Sequence, residues 1–148
     1  MIKIIIPLPP VTKKNHQQIV KVNGRIQIIP SKQYKQYEND CMPFLKPIWI
    51  DYPVNVKALY YMATRRKVDL CNLHEALCDV LTAYHVVEDD NCRIIASMDG
   101  SRVLYDKENP RTEVYIERVE IPNYLQSVSS SKSRFMFNIS QKFMIKPR

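Results

Sequence analysis

The chain has 148 residues, 45% of them apolar, enough for a single domain whose core needs no disulfide support. Its formal net charge is +7, but every acidic residue lies before position 121, while Lys132, Arg134, Lys142, Lys146 and Arg148 lie beyond it, so the global charge says little about the body. No run approaches the roughly 20 consecutive apolar residues of a membrane span, and no charged leader precedes a long apolar stretch. The expectation is a cytoplasmic protein with no membrane partner. Cys41, Cys71, Cys78 and Cys92 are widely spaced, which without an export signal favours reduced thiols over a disulfide framework.

Ile2 to Ile6 is short, β-branched and closed by Pro7, which predicts a buried strand. Asn23-Gly24, between Ile19 to Val22 and Arg25 to Ile28, accepts positive φ at both central positions of a type I′ turn and predicts a hairpin. Ser31 is the natural N-cap of a helix from Lys32 to Leu45, with Tyr34, Tyr37, Cys41 and Leu45 at helical intervals and Pro43 disturbing its end. Val54 to Met62 has the β-rich composition of one long strand. Asp69 precedes Leu70, Leu73, Leu77, Leu81 and Tyr84, a stripe near the 3.6 period, and is the predicted N-cap of a second helix. Arg93 to Val103 and Arg111 to Val119 predict two further strands, joined by the charged connection Asp106 to Pro110. These elements predict an α+β domain over residues 1–120. Residues 121–148, serine-rich and basic, predict a flexible arm. Within it, Phe135 to Ile145 has the pattern of a short strand or helix that packs on the body or on a partner subunit.

Chemistry concentrates in Arg65-Arg66-Lys67-Val68-Asp69-Leu70-Cys71-Asn72 and continues through Asp79 to Glu88-Asp89-Asp90. Hydrolysing a phosphodiester needs an activated water and neutralisation of charge on the phosphate, which magnesium held by carboxylates supplies. Asp69 and Asp90 are expected to converge at one end of the sheet. Arg65, Arg66 and Lys67, with Lys13 and Lys14 of the proline-rich entry loop, are positioned to grip DNA backbone; the plainer reading of such pairs is solvated surface charge. Acids at helix starts are usually caps. Asp79 is assigned to support, and Asp90 is preferred to Asp89 because adjacent strand residues face opposite ways. Cys71, His74 and Cys78 share a helix face, but structural zinc takes closely spaced ligand pairs from two segments, so small thiols are the better account. Tyr34, Tyr37, Tyr60 and Tyr61 read as core or dimer contacts before they read as base-stacking rings.

Asp69-x-x-Asn72-Leu73, Asp79-x-Leu81 and Asp89-Asp90 have the order and spacing of the RusA-type Holliday junction resolvase motif, and the chain resembles that family over roughly residues 1–119. The resemblance implies a two-layer α+β sandwich, a small mixed sheet with two helices packed on one face. It also implies a magnesium-dependent endodeoxyribonuclease, with Mn2+ able to substitute, acting as a homodimer on four-way junctions. Asp69 and Asp90 match the family's metal-binding aspartates, and Asn72 matches an amide that orients a ligand or a phosphate. Two positions depart: the family's second aspartate falls on Cys71 and its lysine on Glu75. Glu75 lies one helical turn beyond Cys71, so it is the expected replacement ligand. The alternatives are a degenerate homologue that binds branched DNA without cutting, a metal-dependent nuclease for flaps or structured RNA, and a basic interaction protein that binds through its tail.

Overall fold

A computed structural model describes residues 1–13, 17–30 and 32–120. In chain order the elements are β1 (Ile2–Ile6), β2 (Gln17–Val22), β3 (Arg25–Pro30), α1 (Lys32–Cys41), a 3-10 turn (Met42–Phe44), β4 (Val54–Met62), α2 (Leu70–Ala83), β5 (Ile95–Ser97), β6 (Arg102–Tyr105) and β7 (Arg111–Arg118). The main sheet runs β1-β7-β4-β5, with β6 also on β4. β7 is antiparallel to β1 and β4, whereas β5 and β6 run parallel to β4. Parallel neighbours need a crossover, and α2 supplies it. The result is the expected mixed sheet with two helices.

One sheet face is apolar. Ile4 and Ile6 of β1, Val56, Ala58 and Tyr60 of β4, and Val114 and Ile116 of β7 join Leu73, Leu77 and Leu81 of α2 and Cys41 of α1 in one buried cluster. Both helices therefore cover that face. The period-2 burial of β4 and β7 follows from side chains alternating across a strand. β1 departs from the expected buried strand: its alternate residues are buried, and Ile5 is exposed. Among the described residues it is an edge strand with one neighbour, β7, and one covered face. On the opposite face Arg111 bonds Asp106 and Glu113 at 2.9 and 2.8 Å and lies 3.7 Å over the Tyr61 ring.

Two further expectations change. The first helix stops at Cys41 and tightens into a 3-10 turn over Met42–Phe44, because Pro43 has no N–H to continue an α-helix; its expected cap, Ser31, lies outside the described residues. The single strand expected over Arg93 to Val103 is split. Asp99-Gly100 forms a turn, with Gly100 at φ +81°, and Asn55 of β4 serves the interrupted stretch: its Oδ1 accepts from Ser97 Oγ at 2.6 Å and from Asp99 N at 2.8 Å. Ser101 Oγ then accepts from Ala58 N at 2.9 Å, restoring a bond that the ladder would have made.

The hairpin matches its expectation. Asn23 and Gly24 have φ 50° and 79°, and the register runs from Gln17↔Pro30 to Val22↔Arg25. β2 and β3 form a sheet of their own, with Ile19 and Ile26 about three quarters exposed (76% and 74%).

Candidate active site

Asp69 is the N-cap of α2, as its sequence position predicts: its backbone is extended, and Oδ1 accepts from Cys71 N at 2.9 Å. That bond satisfies one of the first-turn donors that a helix leaves without a partner. Asp69, Cys71 and Glu75 are exposed, and Asn72 is half-buried. Arg65, Arg66 and Lys67 are exposed on the approach from β4, with the Arg65 guanidinium 4.4 Å over the Tyr105 ring. The cap, the cations and the helix start are thus contiguous, as the local pattern implies.

Asp90 reaches the helix differently. It follows Val86 and Val87, which are fully buried, and precedes Ile95, which opens β5 beside Val54. Asp90 itself is exposed. It lies close enough to Cys78 for its charge to add to the burial that pushes that thiol up to about 12. Cys78 is nine residues along α2 from Asp69, about 13 Å of helix axis. Among the described residues, no three Asp, Glu, His or Cys side chains gather as they would around an ion. Asp89 is a turn residue: its carboxylate accepts from Asp90 N at 2.8 Å and from the Asn91 amide, bonds that hold its pKa below the usual carboxylate range.

Asp79, expected to support the site, has a partner the sequence does not point to. Lys13 Nζ donates to Asp79 Oδ2 at 2.6 Å, with both side chains about a quarter exposed (28% and 27%), and the bond raises the Lys13 pKa. The Tyr34 hydroxyl of α1 sits 3.5 Å from the same oxygen. Lys13, read from sequence as a DNA contact, fastens the entry loop to α2; Lys14 lies outside the described residues. On the sheet side of α2, the His74 ring meets the Tyr60 hydroxyl at 2.9 Å, and burial lowers the His74 pKa. His74 is a wall of the core, and Cys78 is a buried thiol. Neither Lys13–Asp79 nor His74–Tyr60 leaves a signal in sequence spacing, because each joins residues from separate elements.

The described residues thus form a small α+β domain whose crossover helix begins at a capping aspartate, behind a run of exposed cations. The family model described as Endodeoxyribonuclease RusA matches residues 7–117, and the chain belongs to that family. The family is one of Holliday-junction-resolving endonucleases, and membership implies branched DNA as the class of partner. Among curated proteins none matches the chain. No described helix is long and apolar enough to cross a membrane.

Proposed function

We propose that the chain is a competent, magnesium-dependent resolvase that acts as a homodimer and makes paired nicks across a four-way DNA junction. The observation that carries this reading is the family match through 117, which spans the capped helix and the Asp89-Asp90 turn. The donor chemistry fits the ion. Asp69, Asp90 and Glu75 offer exposed carboxylates, and magnesium takes hard oxygen ligands, keeps several waters and asks for only one or two protein carboxylates. Asp69 and Asp90 would hold the ion, with Glu75 supplying the oxygen that Cys71 lacks. When bound, it would supply an activated water and charge neutralisation at the scissile phosphate. Asn72 orients a carboxylate, Asp89 shapes the turn that presents Asp90, and Asp79 holds Lys13. Arg65, Arg66 and Lys67 grip backbone, which gives affinity and salt dependence without base specificity. A two-fold dimer presents paired sites to a two-fold-like junction.

One observation favours a second reading: the exposed Cys71 thiol stands where the family has a hard oxygen ligand. On that reading the chain binds junctions without cutting them. The deciding experiment incubates an end-labelled four-way junction with protein and Mg2+ or Mn2+, beside Asp69→Asn and Asp90→Asn, and maps products on a denaturing gel. Symmetric nicks lost in both variants support the resolvase. Junction binding with no nicks in either metal supports the binder.

A further inference from the structure

Three described non-glycine residues have positive φ: Asn23, Trp49 and His85. Asn23 belongs to the hairpin turn, where the conformation is required. Trp49 and His85, at φ 59° and 55°, face one another across the segment before β4 and the end of α2. Their rings stack with centroids 4.2 Å apart and planes 8° from parallel. Bulky residues seldom adopt this backbone, and it persists only where the surroundings over-determine it. Here they do. Ile48 N and Trp49 N both donate to His85 O, at 3.0 and 2.9 Å, Ile50 N donates to Val86 O at 3.1 Å, and Glu88 N donates to Ile50 O at 2.9 Å. Ile50 beneath them is fully buried.

The outcome of all this ordering is an indole held outside the core. Trp49 is 57% exposed, with one ring face backed by imidazole. A core tryptophan would be covered; here the left-handed backbone of Trp49 meets the left-handed residue that ends α2, His85, whose N–H donates to Thr82 O while Val86 N donates to Leu81 O, and the two hold the indole flat. We infer that Trp49, backed by His85, is a stacking platform for an unpaired nucleobase of the DNA substrate. The inference rests on the branched-DNA reading above and adds a contact to it. Rings stack on the π-face of any base but cannot reach one inside an intact duplex, so the platform selects distorted or single-stranded DNA. The platform is laced to the strand of chain that leads to Asp90. Asp90 is five residues on from His85, at most about 18 Å away, so the platform lies within about five nucleotides of it at 3.4 Å each along a strand. A base unpaired at the branch point lies within that reach of a cut made nearby.

Trp49 is the only tryptophan in the chain, so its emission reports on this ring alone. The full-length protein is titrated, without divalent metal, with a four-way junction, a 12-nucleotide oligothymidylate and a fully paired duplex, while fluorescence anisotropy of labelled DNA reports binding separately. The expected result is quenching of Trp49 by the junction and the oligothymidylate but not by the duplex. Trp49→Asn removes the ring with a residue that tolerates the left-handed backbone, and should weaken binding to the first two by about tenfold while sparing the duplex. Trp49→Phe should recover most of the loss. Junction binding with unchanged emission and unchanged affinity in Trp49→Asn overturns the platform and leaves the resolvase reading intact. Dissociation of a dimer by Trp49→Asn in light scattering, with DNA affinity per dimer preserved, overturns it in favour of a contact between two copies. Absence of binding to all three DNAs overturns the platform together with the DNA reading.

Discussion

At the N-terminal end of α2, position is set by neighbours in sequence. Asp69 caps the helix through Cys71 N two residues away, and Arg65 to Lys67 arrive on the same short connection. At the C-terminal end, position is set by distant chain: His85, Val86 and Glu88 are hydrogen-bonded to Ile48, Trp49 and Ile50, which precede β4. Each segment leads to an exposed aspartate, Asp69 or Asp90, but one is held by a cap that can form as soon as the helix does. The other is held by a backbone clasp that exists only once the fold is complete. A site assembled from both should therefore lose its two halves for different reasons, and each half can be tested separately.

The largest effect falls on the clasp. Ile50→Ala removes a fully buried side chain and should lower stability by about 2–5 kcal/mol, read as a shifted midpoint in urea. Hydrogen exchange should show residues 85–90 opening before the first turn of α2; simultaneous opening of both ends would erase the contrast. Next comes chemistry. Asp69→Asn keeps a good cap and Asp90→Asn leaves the clasp alone, so both should fold normally and bind junction within a few-fold of the parent. Nicking should fall by about a hundredfold or more, the scale of losing one charge stabiliser. If only one variant loses activity, only one of the two aspartates serves the metal.

The Lys13–Asp79 bond ties the entry loop to the helix between these ends. Because both side chains are partly exposed, solvent screening holds its worth to about 1 kcal/mol or less, measurable as the coupling energy of Lys13→Ala and Asp79→Ala in a double-mutant cycle. The smallest effect concerns His74. Burial lowers its pKa below the ordinary 6.5, so on acidification the unfolded chain takes up the proton first and stability falls as pH drops below about 6.5. Above that pH the contribution is fully present. His74→Gln should remove this part of the acid slope in urea titrations run between pH 7 and pH 5, while slopes from depressed carboxylates such as Glu113 and Asp106 persist at lower pH.

What the sequence alone determined is whatever depends on near neighbours. A cap needs only an oxygen two or three residues before a free amide, so Asp69 was legible. So was the hairpin, since Asn23-Gly24 suits two consecutive positive φ values. The strand-helix order and the family motif were legible for the same reason, being patterns along the chain. Asp99-Gly100 inside the stretch from 93 to 103 is a turn signal. Its weight comes from Asn55, forty-four residues away, whose side chain replaces the missing ladder bonds. Only the tertiary structure decided that Lys13 would be taken by Asp79, that His74 would lean on Tyr60, and that Trp49 and His85 would stack. Each is a meeting of groups from different elements. Such meetings depend on packing and on the closing of long loops, which residue spacing does not encode.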